Sequence, residues 1–165
     1  MENELPNPRR IPREDDLVAL CRALNEWRAR YIIIGGFAVI HHGYLRATED
    51  IDLLLDGDLE NQARVKKALE ILPDKAILEL GDDDLRAYTV VRVSDEILVD
   101  LMLAACGIDY AEASKSIEVA EIEGVPIPFA NAPLLLRMKQ THREKDADDR
   151  IFLHRKIAEL SQPNE

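Results

Sequence analysis

An acidic pair inside an apolar run, Asp50-Ile51-Asp52-Leu53-Leu54-Leu55, is the tightest constraint that this sequence carries. The run is typical of a β-strand, in which alternate side chains lie on the same face. Asp50 and Asp52 are therefore predicted to project together, with Cα atoms about 6.6–7 Å apart, while Ile51, Leu53 and Leu55 take the opposite face, toward a core. Two ionised groups at the end of a buried strand are costly without a positive partner. A hard divalent cation such as Mg²⁺ is the natural partner for their oxygens.

A third carboxylate, Asp100, stands in the middle of the apolar segment Ile97–Leu103. A continuous apolar run predicts a strand that is buried on both faces, where one aspartate is expensive. Two readings stay open. An arginine or backbone amides satisfy the carboxylate, or its strand pairs beside that of Asp50 and three carboxylates converge. The second arrangement is typical of two-metal sites, whose ions lie ~3.5–4 Å apart.

Length and composition favour a single globular domain. The chain has 165 residues, of which 47% are hydrophobic, enough for one substantial core. Two cysteines, Cys21 and Cys106, lie in apolar stretches and are predicted to be buried, with no disulfide and no metal pair.

The formal net charge of −11 disfavours nonspecific binding to duplex DNA, although bound metal and a local basic cluster can reverse the field inside a cleft. No apolar run is long enough for a membrane span, and the first residues do not resemble a signal peptide. We therefore expect no membrane association and a cytoplasmic location.

The expected fold class is α+β, with a mixed sheet flanked by helices. A proline-rich arm is expected over residues 1–13, followed by one domain over 14–165 whose C-terminal helices begin at about residue 132. Trp27 is expected to anchor the first helix in the core. The first half of the domain is predicted to contain a helix from Asp15 through Trp27, strand Tyr31–Ile34, helix Phe37–His42, strand Asp50–Leu55 and helix Leu59–Leu72 capped by Asp58. Two hairpins are predicted next, Arg86–Val93 with Glu96–Leu103 around Ser94-Asp95 and Ser116–Ile122 with Val125–Phe129 around Glu123-Gly124, with a helical turn Tyr110–Ser114 between them. Helices Pro133–Thr141 and Asp146–Leu160 are predicted to end the domain.

Three features together resemble the active-site pattern of the DNA polymerase β-like nucleotidyltransferase superfamily. They are Gly35-Gly36 after a short strand, Asp50-Ile51-Asp52, and Asp100 inside a later strand. The similarity is greatest to small bacterial members: minimal nucleotidyltransferases, AbiEii-type toxins, and lincosamide and aminoglycoside transferases. It covers Tyr31 to Leu103, and the segment Arg143–Asp149, together with Lys139, is similar to the "K … R-x-K-D-x-x-D" end of the AbiEii-like group.

The resemblance implies a role for each matching position. Gly35 and Gly36 would hold the triphosphate at the start of a helix. Asp50, Asp52 and Asp100 would ligate two Mg²⁺ ions, with Mn²⁺ as a substitute, and Asp100 would also serve as base toward the acceptor hydroxyl.

Several basic positions have two readings each. Arg46, which precedes the metal strand together with Thr48, would bind phosphate or form an ion pair with Glu49 or Asp50. Lys139 would reach the nucleotide or stay solvated. The densest basic stretch of the chain is a candidate phosphate-facing patch; its members are Arg137, Lys139, Arg143 and Lys145.

The implied activity is transfer of a nucleoside monophosphate from a nucleoside triphosphate to an acceptor hydroxyl, with release of pyrophosphate. The tail favours a toxin–antitoxin or defence enzyme that modifies tRNA or protein, with an antitoxin partner. The alternatives are an antibiotic nucleotidyltransferase and a non-catalytic nucleotide-binding module of the same fold.

Overall fold

A six-stranded mixed sheet forms the centre of the computed structural model, which describes residues 9–162. The strands are β1 (Tyr31–Ile34), β2 (Asp50–Leu55), β3 (Val91–Ser94), β4 (Leu98–Met102), β5 (Ala104–Ala105), β6 (Ile108–Asp109), β7 (Ile117–Ile122) and β8 (Val125–Ala130). The helices are α1 (Glu14–Glu26), α2 (Gly35–His41), α3 (Leu59–Leu69), α4 (Asp84–Ala87), α5 (Tyr110–Ala113), α6 (Ala132–Met138) and α7 (Glu144–Leu160), with 3₁₀ turns at Ala76–Glu79 and Ser114–Ser116. The predicted α+β class is confirmed.

The strand order, β3-β4-β2-β1-β8-β7, places the acidic strands in the interior of the sheet. Strand β2 pairs antiparallel with β1 and parallel with β4, and β8 runs parallel to β1 on the other side. The short β5–β6 pair forms a separate ribbon. Because β2 has a strand on each side, its backbone hydrogen bonds are satisfied, and Ile51, Leu53, Leu54 and Leu55 are fully buried.

Helices pack against the sheet through apolar stripes. Helix α1 contacts α3 and β8, and its inward residues Leu20, Cys21 and Leu24 are inaccessible to solvent. Helix α2 lies against β1 and β2, and α6 bridges α2 and α7. None of the helices over residues 9–162 combines the length and the apolar character that a membrane span requires.

The predicted arm falls mostly on residues 1–8, which lie outside the described part of the chain. Residues 9–13 precede α1, and Arg10 joins two distant segments. Its guanidinium contacts both Asp16 oxygens, at 2.7 and 2.6 Å, and Glu96 at 3.2 Å, and its amide donates to the Glu96 carbonyl. Asp16 also accepts from the amide of Arg13 and so stabilises the start of α1.

The first predicted hairpin has the right strands but the wrong register. A two-residue turn at Ser94-Asp95 would pair Arg92 with Ile97, whereas the structure pairs Arg92 with Asp100. Asp95 explains the wider turn. Its carboxylate is buried and accepts from the amides of Asp74, Ala76 and Glu96, which draws the turn inward. The first strand of this hairpin, β3, is also shorter than predicted, because Arg86 and Ala87 belong to α4.

The second predicted hairpin is confirmed, with strands β7 and β8 paired antiparallel. Its two-residue turn has Glu123 at φ 51° and Gly124 at φ 80°. Positive φ at both central residues is the geometry whose twist matches that of the flanking strands.

Other predicted details are wrong. Trp27 follows the last residue of α1 and is 48% exposed, so it is no core anchor. Cys106 is exposed, because it lies in the turn between β5 and β6 with φ 48°. The helix predicted to reach Leu72 ends at Leu69, after which tighter turns lead to Pro73. Asp58 makes no capping hydrogen bond there and faces Arg30 instead.

Candidate active site

The three sequence-predicted carboxylates converge at one point. The parallel pairing of β2 with β4 sets Asp52 directly opposite Asp100, and Asp50 lies two residues earlier on the same face. One carboxylate oxygen from each residue lies within 4.8 Å of the other two. Asp100 is buried, with 6% of its surface exposed, and the other two are half-buried. The predicted convergence is therefore observed.

Gly35 is required by the position of Asp52. It opens α2 at φ +70°, and a Cβ atom placed on it would lie 1.9 Å from Asp52 Oδ2. Such a contact is impossible without moving the carboxylate. The glycine thus lets the β1–α2 backbone approach the acidic cluster, a contact that the sequence analysis did not predict.

Gly36 creates a second close approach, to the segment that precedes β2. A Cβ atom there would meet Thr48 Oγ1 at 2.3 Å and Arg46 Nη2 at 3.2 Å. Thr48 is buried, and its hydroxyl donates to the Asp50 carbonyl over 3.2 Å, which ties the segment to the start of β2.

Burial and mutual repulsion disfavour the charged forms of Asp50 and Asp52. Burial, followed by the nearby charges of Asp50 and Asp100, raises the pKa of Asp52 to about 7. Burial and Asp100 likewise raise the pKa of Asp50, against the opposing charges of Lys145 and Arg92. A site with this much unneutralised acidity favours added positive charge.

Arg92 is a site residue that the sequence reasoning missed. It lies on β3 opposite Asp100, and its Nε and Nη2 donate to the two Asp100 oxygens over 2.8 and 2.9 Å. Nη2 also donates to Asp50 Oδ2 over 3.0 Å. Both readings of Asp100 are therefore correct, because an arginine satisfies its carboxylate and the carboxylate also belongs to the cluster of three. The correct hairpin register would have revealed it.

A second charged cluster lies beside the first and involves residues that the sequence resemblance singled out. Lys139, just after α6, contacts Asp146 at 3.1 Å and Asp149 at 3.2 Å, both on α7. Arg46 Nη2 donates to Asp149 Oδ2 over 2.9 Å, while Nε lies 2.9 Å from Oδ1 as an ion-pair contact without hydrogen-bond geometry. Asp149 is completely buried.

This cluster decides between some of the alternatives for the basic residues. The predicted pairing of Arg46 with Glu49 or Asp50 is wrong, because its partner comes from α7, 103 positions away. The solvated reading of Lys139 is also wrong, since the residue is 8% exposed and faces two carboxylates.

The acidic cluster lines a cleft with a volume of about 280 Å³, together with Arg46, Lys139 and Asp146 of the second cluster. Gly35, Gly36, Thr48 and the acidic cluster line this cleft together with a set of apolar residues, here called the apolar wall. The apolar wall consists of Val90, Met102, Ala104, Ala105 and Met138. Arg143 and Lys145 line the cleft and are exposed to solvent, whereas Arg137 contacts Glu112.

The acidic cluster fits a hard divalent cation. It offers oxygen ligands from three carboxylates, one of which, Asp52, makes no ion pair within residues 9–162. Such a cation would offset the burial and the mutual repulsion that raise the pKa values of Asp50 and Asp52.

Comparison with known proteins agrees with this architecture. No protein-family model matches the chain, and no curated protein matches it significantly. Among solved structures, it is similar to an antigenic nucleotidyltransferase-like protein from Paracoccidioides brasiliensis, with a TM-score of 0.51 and 19% identity over 90% of this chain and 76% of the other. It is also similar to a proposed nucleotidyltransferase from Thermotoga maritima, with a TM-score of 0.49 and 16% identity over 92% and 97%. At this level of identity the first likeness concerns the fold, and the chain has the fold of a nucleotidyltransferase-like protein.

Proposed function

We propose that this protein is a metal-dependent nucleotidyltransferase, which moves a nucleoside monophosphate from a nucleoside triphosphate to an acceptor hydroxyl and releases pyrophosphate. One observation carries the proposal: Asp50, Asp52 and Asp100 meet on adjacent parallel strands, directly beneath the backbone of Gly35. A purely structural cluster would not need three crowded carboxylates that line a cleft and have one arginine between two of them, because each carboxylate is costly to bury without a cation of its own.

In this proposal the acidic cluster holds two Mg²⁺ ions, with Mn²⁺ able to replace them. When bound, the metal neutralises charge on the phosphates and lowers the pKa of a coordinated hydroxyl. Asp100, which lines the cleft from β4, is the candidate base for the acceptor proton.

The phosphates are assigned to the glycine side of the cleft. Gly35 and Gly36 expose backbone without a Cβ atom, and Thr48 lies against Gly36. Arg46 and Lys139 also line the cleft and supply positive charge there while they remain paired with Asp149. Arg143 and Lys145, which are exposed on the same cleft, are candidates for the direct phosphate contacts. These roles are positioning and charge stabilisation, which account for most of the catalysis of phosphoryl transfer.

The acceptor is assigned to a hydroxyl on tRNA or on a protein, as expected for a toxin–antitoxin or defence enzyme. The exposed Arg143 and Lys145 support an anionic acceptor at the cleft, while the net charge of −11 supports a protein or a cationic small molecule. Incubation with each labelled nucleoside triphosphate and, separately, tRNA, lysate protein and aminoglycoside or lincosamide antibiotics distinguishes the classes. If the label is transferred only to an antibiotic, the toxin assignment is wrong and the protein is an antibiotic nucleotidyltransferase.

The direct test of the proposal is Asp52→Asn. Loss of one metal carboxylate should lower pyrophosphate release by more than about 100-fold and abolish the rise in melting temperature that Mg²⁺ causes. The matched control is Asp82→Asn, which removes a fully exposed carboxylate that contacts Lys66. Near-normal transfer by folded Asp52→Asn would refute the assignment. Nucleotide binding without pyrophosphate release from any acceptor would identify the non-catalytic alternative instead.

A further inference from the structure

The guanidinium of Arg92 occupies the position between two of the three carboxylates. Its single Nη2 nitrogen lies 3.0 Å from Asp50 Oδ2 and 2.9 Å from Asp100 Oδ2. A cation that bridges these two oxygens would take the same place. The contact results from strand register, since β3 sets Arg92 directly opposite Asp100.

The side chain of Arg92 is bound to Asp100 through two hydrogen bonds and is also partly exposed to solvent. Its fork on Asp100 is bidentate, the strong geometry for an arginine–carboxylate pair, and Asp100 raises the pKa of Arg92 further. Yet half of the side chain is exposed, because β3 is an edge strand of the sheet, and Arg92 lines the cleft. The side chain can therefore leave its partners without any rearrangement of the core.

We propose that Arg92 is a built-in counter-cation that holds Asp50 and Asp100 together in the metal-free protein and gives way when a divalent cation enters. The proposal rests on the metal site described above and makes Arg92 a positioning residue. Once displaced, its guanidinium stands at the cleft opening, where it meets the anionic substrate.

A simpler role, in which Arg92 only orients Asp100, predicts the opposite effect on metal binding. Each carboxylate oxygen has a second lone pair, so Asp100 can accept a metal while the arginine stays in place. In that case removal of Arg92 loosens the ligand and weakens metal binding. The bridging position of Nη2 favours exchange, because orientation of Asp100 alone requires no contact with Asp50.

The test is a titration of the metal alone. Binding of Mn²⁺ to the full chain, followed by electron paramagnetic resonance, should be about three- to tenfold tighter in Arg92→Gln than in the unmodified protein, as expected from the loss of one partly exposed ionic competitor. Arg92→Lys, which keeps the charge but lacks the bidentate fork, should fall between them. The metal-free Arg92→Gln protein should melt at a lower temperature and show a larger rise with Mg²⁺.

The matched control is Arg64→Gln, which removes one arginine from an ion pair with Glu60 on α3, away from the cleft. It corrects for the change in net charge and should leave Mn²⁺ affinity unchanged. If folded Arg92→Gln and Arg92→Lys both bind Mn²⁺ as the unmodified protein does, or more weakly, the exchange is refuted while the metal site stands. If the unmodified protein binds no Mn²⁺, both the exchange and the proposed function are refuted.

Discussion

At the residue scale, the candidate site depends on two glycines, whose lack of a side chain leaves room for its polar residues. Gly35 has no Cβ atom where Asp52 Oδ2 lies, and Gly36 has none where Thr48 lies. A larger residue at Gly35 would displace the Asp52 carboxylate, and one at Gly36 would displace Thr48, whose hydroxyl donates to the Asp50 carbonyl. The geometry of the acidic site in this chain therefore depends on both glycines.

Gly35→Ala should destabilise the protein more than an equivalent change elsewhere. The φ of +70° alone costs a non-glycine residue about 1–3 kcal/mol, and the contact with Asp52 adds to it. Gly107→Ala is the matched control, since Gly107 has φ +78° and, within residues 9–162, no non-neighbouring atom within 4 Å of an added Cβ. Thermal unfolding should show a clearly larger fall for Gly35→Ala, with a loss of Mg²⁺ binding that the control does not share. Equal falls would contradict the steric argument.

At the element scale, helix α7 is joined to the cleft by buried charge. Asp146 and Asp149 on α7 meet Lys139 after α6 and Arg46 before β2, and Arg150 donates to the carbonyls of Lys139 and Thr141. The contact between Arg46 and Asp149 connects segments 103 positions apart in the chain. They bring Lys145, at the start of α7, close enough to oppose the raised pKa of Asp50.

Asp149→Asn should be strongly destabilising, because it leaves the charges of Arg46 and Lys139 undercompensated in a buried site. The expected loss in the free energy of unfolding is about 3–5 kcal/mol, measured by urea denaturation. Asp148→Asn changes the adjacent exposed carboxylate and should stay within about 0.5 kcal/mol. Similar values for the two variants would show that the cluster is not what holds α7 in place.

At the scale of the whole molecule, distant segments close on one another around the central sheet. Arg10 joins the segment before α1 to Glu96 in the β3–β4 turn, 86 positions away. That turn belongs to the hairpin that carries both Arg92 and Asp100, so the contact secures the outer end of the candidate site.

Arg10→Gln should lower stability at neutral pH and lose this effect in acid. The hydrogen bond that Asp16 accepts from Arg10 is the main reason that the pKa of Asp16 lies below the usual 3.8. The pair therefore stabilises the folded state above pH 3.8, and the contribution disappears as the pH falls through the lowered pKa of Asp16. Urea titrations from neutral to acidic pH should show the two proteins converge at the acidic end. Arg9→Gln, at an exposed neighbouring position, should match the unmodified protein throughout.

Much of the candidate site was predictable from local pattern. The alternation in Asp50–Leu55 and the apolar run around Asp100 correctly indicated two strands, and their pairing brought the carboxylates together as expected. Arg92 was missed because its position depends on the length of the β3–β4 turn, which the buried side chain of Asp95 sets through amides more than 18 positions away. The exposure of Trp27 was missed because helical spacing does not show where a helix ends.

By itself, the sequence determined that the segments around Asp50 and Asp100 would be strands and that Asp50 and Asp52 would share a face, because these properties follow from the pattern of side chains along a few residues. The pairing of the two strands is what brings Asp100 beside the other carboxylates. Only the tertiary structure decided which cations meet those carboxylates. Arg92 reaches Asp50 and Asp100 across strands, and Arg46 and Lys139 turn to Asp149 on the last helix. Ion pairing acts through space over a few ångströms, so its partners depend on register and helix docking rather than on position along the chain.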